Sequence, residues 1–523
     1  MQATTVTLLC PNPNCKYPNS ETHRFCQQCR TPLVKQYLWV EGQGIENYHV
    51  GDLLLNRFLV KSSKVLLDTR PEQSIEAQIF DPASVQPYLK LFPYCPHIPQ
   101  PYCVLYLEEK QSHQEVLLLD QAPIGKCDLS TEENLELSHR YAQPLELAWK
   151  GASALRQINW LWQIAQLWQP LAEQKVSSSL LQPNLIRVES SLVRLLELRQ
   201  DREATPSLAE LGQMWQQWLP TANNAIKSAL SSLCLQMIEG QIQKIDQLIN
   251  ILDEFLQQSA IAHKFTFTVA AQTDQGLTRQ SNEDTYYVTD RETFSNLPLT
   301  IVCDGMGGHA GGEVASSVAV EAIAQHLQGV NIASENTTSL VIKLHEGIYK
   351  ANDLINQSNN QDHRRDYQRM GTTIVMALAC PPKMYIANIG DSRAYLINRS
   401  GCYQVTTDDN MGCRLVRLGM SFYRDSFSHS NSAQLIQALG VSSSKVLHPR
   451  IRQFVIDEDC IFLLCSDGLS DNNRVEEYWE TEILPVLAGE IDLTVASRRL
   501  IDLANHLNGH DNVTVSLVYC QVS

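Results

Sequence analysis

The spacing of hydrophobic residues changes twice along the chain, and each change predicts a different kind of structure. From about residue 47, short apolar runs such as 53–60 and 116–119 are typical of β-strands. From Leu145 the apolar residues recur near a 3.6-residue period, which indicates helices. The series that shows this period best is Leu155, Ile158, Trp162, Ala165 and Trp168. Helices are also predicted over residues 208–219 and 242–256.

From Lys264 the pattern returns to strand-like runs, which now end in Asp-Gly or Gly-Asp and are followed by glycine-rich turns. Strands are predicted over residues 265–270 and 299–303. A helix is predicted to begin near Gly312, and the side chains expected on its inward face are Val314, Val318 and Ile323. The whole chain is therefore predicted to be multidomain, with α+β parts.

Length and charge narrow the classes of protein that the chain can represent. Its 523 residues suffice for two to four domains of about 100–200 residues. The formal net charge of −16 disfavours nucleic acid or an anionic membrane surface as the main partner. Residues 1–9 lack a targeting signal, and no apolar run approaches the roughly 18 residues of a membrane span. We therefore expect a cytoplasmic protein that binds neither nucleic acid nor membrane.

Four of the fifteen cysteines form two closely spaced pairs in a hydrophilic N-terminal segment. The pairs are Cys10-x4-Cys15 and Cys26-x2-Cys29. Each pair lies on a short turn, which allows two sulfurs to converge on one tetrahedral ion. Because the segment is too short to bury a core, bound metal would supply its folding energy. Residues 1–35 resemble a zinc ribbon with a structural zinc ion, since four thiolates leave no open coordination position.

Other interpretations of these cysteines stay open at this point. The four thiols could be unrelated, or His23 or His49 could compete as a ligand, although a complete set of cysteines makes that replacement unnecessary. The remaining eleven cysteines lie in apolar or mixed contexts. They are predicted to be buried thiols rather than members of a disulfide framework.

Residues 47–259 bear a faint resemblance to a two-lobed protein kinase, because strands precede helices there. Residues 51–58 look like the first strand of a bacterial-type kinase domain. Residues 180–188 look like the catalytic loop, in which Pro183 and Asn184 match the kinase pattern.

The residues that would give this region kinase chemistry are absent. Leu195-Leu196-Glu197-Leu198 stands where the metal-binding Asp-Phe-Gly would be, and Ala77-Gln78-Ile79 stands where the phosphate-pairing lysine would be. Residues 61–72 contain no glycine, so no glycine-rich loop can close over phosphates. The resemblance implies a degenerate, pseudokinase-like domain, and an unrelated helical linker domain is the alternative.

Five stretches of the C-terminal half place an acidic residue at a strand end or a tight turn. These stretches are Arg279-Gln280-Ser281-Asn282-Glu283-Asp284, Cys303-Asp304-Gly305-Met306-Gly307-Gly308-His309, Asn388-Ile389-Gly390-Asp391-Ser392-Arg393, Cys465-Ser466-Asp467-Gly468 and Asp511-Asn512-Val513-Thr514-Val515. Each stretch alone is a weak signal, because Asp-Gly turns are common. All five in this order, with Gly371-Thr372-Thr373 and Ala438-Leu439-Gly440, resemble the PP2C family of metal-dependent protein phosphatases over residues 262–523.

The resemblance implies a β-sandwich flanked by helices, in αββα layers, and hydrolysis of phosphoserine or phosphothreonine in proteins. A phosphate monoester is anionic and resists attack by water, and hard divalent cations held by oxygen ligands address both difficulties. Asp304, Asp467 and Asp511 supply carboxylates for such cations. No cluster of cysteine or histidine accompanies them, which favours Mg²⁺ or Mn²⁺ over zinc.

Individual roles follow from the resemblance. It implies that Asp304 bridges two ions, that the carbonyl of Gly305 is a further ligand, and that Glu283 acts close by through bound waters. Arg279 stands where the family has an arginine that binds the phosphate, and its planar guanidinium suits two-point contact with phosphate oxygens. Asp391, together with Asp467, is implied to hold a third, weaker metal ion.

The sequence departs from the family pattern around the site. Met306 stands where some eukaryotic members carry a histidine and bacterial members commonly carry methionine, and nearby His309 is not assigned the role of acid. Asp408-Asp409-Asn410 stands where Asp-His-Ser is usual, and the flap region that follows, 411–439, is atypical. These departures leave the choice of substrate open.

Three functional hypotheses remain. The first is an active phosphatase that a non-catalytic N-terminal half regulates or targets, with a protein partner for the zinc ribbon and kinase-like domain. The second is a catalytically weak scaffold or sensor that acts through protein–protein interaction. The complete acidic set with Arg279 favours the first. A zinc-dependent DNA-binding regulator fits poorly with the acidic balance of the chain.

Overall fold

The computed structural model describes residues 8–12, 14–75, 82–109, 112–124, 142–202, 205–289, 298–307, 311–328, 330–332 and 335–523. Residues 77–79, compared above with the kinase lysine, and His309 lie outside the described residues. Contacts divide the chain into two units. Unit 1 comprises Met1–Leu252 and Leu415–Ser430, and unit 2 comprises Asp253–Arg414 and Asn431–Ser523. The predicted limits of the three domains stay predictions.

Unit 1 contains an N-terminal hairpin, a six-stranded antiparallel sheet in the order β4-β5-β6-β3-β8-β7, and a three-stranded sheet in the order β11-β10-β9. The strands are β1 (Leu8–Leu9), β2 (Pro18–Asn19), β3 (Gln36–Glu41), β4 (Leu53–Leu54), β5 (Phe58–Ser62), β6 (Val65–Asp68), β7 (Gln100–Glu109), β8 (Ser112–Asp120), β9 (Gln143–Pro144), β10 (Ile186–Glu189) and β11 (Leu192–Leu195).

The apolar run 53–60 is two strands and not one. Leu55 and Asn56 have positive φ angles of 49° and 53°, which turn the chain back on itself between β4 and β5. The hydrophobic pattern alone does not reveal this turn, because Leu55 is apolar and 61% exposed.

Helices of unit 1 follow its strands. They are α1 (Pro82–Lys90), α2 (Leu145–Trp149), α3 (Ala154–Glu173), α4 (Leu208–Trp218), α5 (Lys227–Ile238) and α6 (Ile245–Ala260), the last of which ends in unit 2. The helical pattern from Leu155 to Trp168 is confirmed by α3. Its N-cap is Ser153, whose side chain accepts a hydrogen bond from the Arg156 amide. At the start of α4, Ser207 and Glu210 form a capping box.

Unit 2 is built around two five-stranded antiparallel sheets in the orders β12-β23-β22-β19-β20 and β13-β14-β17-β18-β21. The strands are β12 (Phe265–Asp274), β13 (Thr285–Val288), β14 (Leu299–Cys303), β15 (Gly305–Met306), β16 (Gly371–Thr372), β17 (Ile374–Cys380), β18 (Lys383–Ile389), β19 (Arg393–Ile397), β20 (Cys402–Gln404), β21 (Arg450–Val455), β22 (Cys460–Cys465) and β23 (Val513–Val522).

The remaining helices come from the C-terminal half of the sequence. They are α7 (Gly311–Gln328), α8 (Thr337–Gln361), α9 (Met411–Arg417), α10 (Tyr423–Ser426), α11 (Asp467–Ser470), α12 (Arg474–Glu482), α13 (Leu484–Leu487) and α14 (Leu493–Leu507). Helix α10 and the residues around it belong to unit 1.

The hydrophobic cores of unit 2 explain its layers. One core, which includes Val302, Val375 and Phe462, lies between the inner faces of the two sheets. The outer face of the sheet that contains β14 packs against α7 and α8, and that of the sheet that contains β22 packs against α12, α13 and α14. The predicted αββα layering of the C-terminal half is confirmed.

One detail of the sequence-based prediction is wrong. Val314 is 47% exposed, whereas Ala315, Ala319 and Ile323 are buried against the sheet. The inward face of α7 is thus set by alanines at four-residue spacing. Because alanine is a weak hydrophobic signal, the stronger signal of the neighbouring valine pointed to the wrong face.

No helix in the described part of the chain is both long and apolar enough to cross a membrane.

A buried carboxyl in unit 1 makes its stability depend on pH. Burial raises the pKa of Glu41 from 4.5 to about 7, although its hydrogen bond from Tyr88 opposes the shift. A raised pKa in the folded state means that the folded protein binds this proton more tightly than the unfolded chain does. The resulting stabilisation is complete below pH 4.5 and is lost as the pH rises to about 7.

We expect the Glu41→Gln variant to lose this dependence. Relative to that variant, the wild-type protein should lose about 2–3 kcal/mol of unfolding free energy between pH 4.5 and pH 7. Thermal unfolding across this range measures the difference, with exposed Glu146→Gln as the control. Parallel pH profiles of wild type and Glu41→Gln would contradict the assignment.

Candidate metal and phosphate site

Strand directions bring the predicted acidic residues to one end of each sheet. In the first sheet, β14 and β18 both pair antiparallel with β17, so they run in the same direction. Asp304 and Asp391 therefore follow strands that end at the same edge. In the second sheet, Cys465 at the end of β22 pairs with Val515 near the start of β23. Asp467 and Asp511 consequently lie at the same edge of that sheet.

Two threonines fix the backbone of Asp304. The Thr373 amide and the Thr372 hydroxyl both donate to the Asp304 carbonyl at 2.8 Å, and the Asp304 amide donates to the Thr373 hydroxyl at 3.1 Å. The same Thr373 hydroxyl lies 2.7 Å from the hydroxyl of Ser392, which follows Asp391. One side chain thus links the backbones that carry two of the acidic residues.

Gly390 allows this close approach between strand ends. Its φ angle is +96°, and a Cβ atom there would lie 2.7 Å from Cβ of Thr373. A side chain at this position would clash with Thr373, so glycine allows the two strand ends to lie this close together.

The acidic side chains lie close enough together to oppose one another's ionisation. Burial, followed by the charges of Asp467, Asp284, Asp391 and Asp511, raises the pKa of Asp304 well above its ordinary value. Burial also raises the pKa of Asp467 to about 6 and that of Asp284 to about 7, with neighbouring carboxylates adding to both shifts. Such a cluster of like charges favours cations.

Asp391 belongs to the same cluster. Its pKa is raised well above the ordinary value by burial and then by the charges of Asp467 and Asp408, while Arg393 opposes the shift. Arg393 itself donates to both carboxylate oxygens of Asp408, at 2.8–3.2 Å. The charges of Asp391 and Asp467 thus interact, and their role in holding a third metal ion stays a prediction.

Glu283 lies against the start of α7. A Cβ atom on Gly312 would stand 2.7 Å from the Glu283 carboxyl carbon, and the Glu283 carbonyl accepts a hydrogen bond from the Gly305 amide at 3.2 Å. Glycine at position 312 therefore leaves the space that the carboxylate occupies. Its position at a helix N-terminus is also electrostatically favourable.

Arg279 reaches Asp511 across the sequence. Its Nη2 atom lies 2.6 Å from Asp511 Oδ2, and its Nε donates to the His510 carbonyl at 3.3 Å. The side chain is 49% exposed, so its guanidinium is accessible at the rim of the acidic cluster.

Several residues in the site were not assigned roles from the sequence, most notably Asn512. Its Oδ1 accepts from the Glu283 amide at 2.9 Å, and its Nδ2 donates to the carbonyls of Gln275 and Ser281 at 2.8 and 2.9 Å. Asn512 is 4% exposed and holds the loop that carries Arg279 and Glu283. An asparagine beside a predicted ligand was the signal available in the sequence.

Asp284 and Ser466 were also missed as positioning residues. The Ser466 hydroxyl donates to Asp284 Oδ2 at 2.7 Å and accepts from the Thr514 amide at 2.9 Å. These contacts connect the end of β22, the start of β13 and the start of β23.

The donor atoms fit hard divalent cations. Oδ1 of Asp467 and Oδ1 of Asp284 are buried, and neither has a hydrogen-bond partner among the described residues. Buried carboxylate oxygens without hydrogen bonds are costly unless a cation neutralises them. Both orphaned atoms are carboxylate oxygens, the kind of ligand that Mg²⁺ and Mn²⁺ prefer.

The four N-terminal cysteines form a separate metal-binding geometry. Their sulfurs all lie within 4.8 Å of one another, and they are the one such group of three or more metal-ligating side chains in the described part of the chain. The Sγ–Sγ distances are 3.4 Å for Cys10 and Cys29 and 3.7 Å for Cys15 and Cys26. A tetrahedral zinc with bonds of about 2.3 Å requires sulfurs about 3.8 Å apart.

Among the described residues, the acidic side chains do not form a group within 4.8 Å as the four sulfurs do. Such a wider spacing is consistent with more than one ion. Two-metal sites hold their ions about 3.5–4 Å apart, so carboxylates on opposite sides of the pair need not approach one another as closely as the sulfurs do.

The sequence matches known proteins over this half of the chain. The sequence model of the family described as "Protein phosphatase 2C" matches residues 277–490. The serine/threonine phosphatase stp of Listeria welshimeri is 34% identical over 251 residues, which cover 47% of this chain and 93% of that protein. The chain belongs to the protein phosphatase 2C family. The predicted class of enzyme, a protein phosphatase, is confirmed by this membership.

Other protein phosphatase 2C relatives differ in length. The serine/threonine protein phosphatase PstP of Mycobacterium tuberculosis is 34% identical over 246 residues, which cover 47% of this chain and 43% of that protein. A crystal structure of the M. tuberculosis PstP is 31% identical, with a TM-score of 0.41, and the match covers 48% of this chain and 98% of that one. The catalytic domain of PstP in complex with two manganese ions is 30% identical, with a TM-score of 0.39, and covers 49% of this chain and 100% of that one.

We expect an Asn512→Ala variant of this protein phosphatase 2C chain to unfold at a lower temperature and to bind manganese more weakly, because the loop that carries Arg279 loses its anchor. The substitution leaves the Glu283 amide and two carbonyls without their partner, at a cost of about 1–3 kcal/mol. Thermal unfolding and the manganese concentration needed for half-maximal stabilisation measure the effect. Exposed Asn431→Ala is the control, and equal behaviour of the two variants would contradict the role of Asn512.

Proposed function

We propose that this chain is a metal-dependent phosphatase that hydrolyses phosphoserine and phosphothreonine in proteins, with the reaction carried by unit 2. The convergence of Asp304, Asp391, Asp467 and Asp511 at adjoining strand ends is the observation that carries this proposal. The names of the Listeria and Mycobacterium relatives support the substrate class.

Asp304, Asp467 and Asp511 would hold two Mn²⁺ or Mg²⁺ ions, together with the Gly305 carbonyl, and Asp391 with Asp467 would hold a third. When bound, such cations supply an activated water and neutralise charge on the phosphoryl group. The carboxylates act by fixing these positions. The backbone of Asp304 is held by Thr372 and Thr373, so little reorganisation of this residue is needed at the moment of reaction.

Arg279 would bind the phosphate of the substrate. Its guanidinium is half-exposed and pairs with Asp511, and a phosphate dianion beside the acidic cluster is a stronger acceptor for its N–H groups. A cation held by Asp511 would compete with Arg279 for that carboxylate and would leave the guanidinium available to the phosphate. Glu283, which lies against the start of α7, would accept hydrogen bonds from water next to the ions.

The four cysteines would hold a structural zinc ion. Besides the sulfur spacing, the turn that ends each pair fits this role, because Lys16 and Arg30 follow the second cysteine of each pair with φ angles of 50° and 63°. The Gln28 amide also points at the Cys26 sulfur, 3.4 Å away. Amide hydrogen bonds of this kind stabilise a thiolate.

The rest of unit 1 would be a pseudokinase-like domain without catalytic activity, serving regulation or targeting through a protein partner. Its strands-before-helices order agrees with that proposal. The alternative function is a scaffold or sensor with weak catalysis, and the assays below distinguish the two. The cytoplasmic location stays a prediction.

We expect an Asp304→Asn variant to lose manganese-dependent hydrolysis of a phosphothreonine peptide by about 100-fold or more. Removal of a charge that holds the cations forfeits several kcal/mol of transition-state stabilisation. Manganese binding, measured by calorimetry, should weaken in parallel. The control is Asp502→Asn, an exposed substitution on α14. Undiminished turnover by Asp304→Asn would refute the site, and no turnover by the wild type would favour the scaffold.

The zinc proposal has its own test. The purified chain should contain one equivalent of zinc, measured by inductively coupled plasma mass spectrometry. The Cys26→Ser variant should contain almost none. Cys380→Ser, which alters a partly buried thiol outside the cluster, should retain it. Zinc retained by the Cys26→Ser variant would exclude the four-cysteine site.

A further inference from the structure

A segment of the phosphatase sequence packs in the N-terminal unit. Residues Leu415–Ser430, here called the docked segment, fall inside the family match of residues 277–490 but belong to unit 1 by their contacts. The chain leaves unit 2 at Arg414 and returns to it at Asn431. The segment includes the end of α9 and all of α10.

Arg424 is the polar anchor of the docked segment. Its guanidinium donates to the carbonyl of Pro71 at 2.9 Å and also to the carbonyl of Gln73. The same guanidinium lies 4.8 Å from the ring centroid of Tyr102 on β7, a cation–π contact. Three features of the N-terminal unit thus converge on one side chain.

The aromatic anchor is Tyr423. Its ring centroid lies 5.1 Å from that of Phe92 in unit 1 and 5.1 Å from that of Phe427 within the docked segment. The neighbouring Phe422 is 6% exposed. Apolar burial and the arginine contacts therefore act together on one short helix.

The surface that receives Arg424 is built by other residues of unit 1. Arg57 pairs with Asp68 at 2.8 Å and donates to the carbonyls of Arg70, Gln73 and Ser74, which fixes the 70–74 loop. That loop carries the two carbonyls that accept from Arg424.

The ring beneath Arg424 is fixed in the same way. The Tyr102 hydroxyl donates to Asp68 Oδ2 at 2.7 Å. Both the loop and the ring are therefore held through Asp68, so the receiving surface is ordered by contacts that do not involve the docked segment.

The base of the segment is connected to the candidate site. The Gly412 amide donates to the Ser432 carbonyl at 2.9 Å, which closes the base. Three residues before Gly412 in the chain, the Asp409 amide donates to the carbonyl of Gly390 at 2.9 Å. Gly390 directly precedes Asp391. Hydrogen bonds and a short stretch of chain therefore connect the base of the segment to the backbone next to Asp391, a proposed metal ligand.

The Listeria relative indicates that the contacts of the docked segment with unit 1 are additional to the shared domain. The match to the Listeria phosphatase covers 93% of that protein but 47% of this chain, so that relative has no counterpart of most of unit 1. A protein phosphatase 2C domain without unit 1 has nothing equivalent to hold this segment. Docking on unit 1 is thus an added restraint and not a part of the shared catalytic apparatus.

We propose that the surface formed by Phe92, Tyr102 and the 70–74 loop is an intramolecular docking site for residues 415–430, and that docking restrains the phosphatase. This proposal rests on the proposed function and specifies how the N-terminal half regulates it. Release of the segment, by a partner that competes for this surface, would raise the activity.

The test uses the full chain with Tyr423→Ala and Arg424→Ala, and Arg414→Ala as an exposed arginine control on α9. Amide hydrogen exchange of residues 422–428 should become at least tenfold faster in both test variants, while β22 stays protected. Hydrolysis of a phosphothreonine peptide with manganese should rise at least threefold in kcat/KM. Arg414→Ala should match the wild type in both measurements.

Each outcome decides the proposal. Unchanged exchange in both test variants would overturn the docking site. Faster exchange with unchanged or lower turnover would overturn the restraint. If no form of the chain hydrolyses the peptide, the proposed function fails and the restraint fails with it, whereas the exchange measurement still decides whether the segment docks.

Discussion

The accumulation of negative charge at one end of the two sheets of unit 2 is the constraint on which the rest of the site depends. Burial and mutual repulsion raise the pKa values of Asp304, Asp391 and Asp467, so the cluster is unfavourable as an isolated set of carboxylates. Divalent cations reverse that balance. Holding these groups together costs the fold stability. Hydrogen bonds with Thr372 and Thr373 keep the Asp304 backbone in place, and Ser466 holds the neighbouring Asp284.

The αββα layers stabilise the strands whose ends carry the acidic residues. The core between the sheets and the two helical faces fix the strands, so that the strand ends carry function and not stability. Asn512 ties the loop of Arg279 and Glu283 to the start of β23. Polar contacts also order a loop in unit 1, where Asp68 and Arg57 hold the loop that receives Arg424.

The two ends of the chain would use metals for different purposes. Four thiolates from residues 10–29 give a closed set of ligands that would stabilise a segment too small to hold a core. Cations held by the carboxylates of unit 2 would keep positions open for water and substrate. Between these ends, unit 1 provides a surface for part of the phosphatase sequence, so the N-terminal half need not contact the acidic cluster to influence it.

The family could be recognised from the amino-acid sequence, and the candidate metal ligands could be predicted from it, because carboxylates after apolar strands and paired cysteines are local patterns. The sequence also predicted helices such as α3, whose period is strong. It could not show the turn at Leu55 or the exposure of Val314, since backbone angles and packing partners overrode the apolar signal. The roles of Asn512 and Asp284, and the docking of Arg424 and Tyr423, were decided by tertiary structure alone. Each depends on contacts between residues far apart in the chain, and no local pattern encodes such contacts.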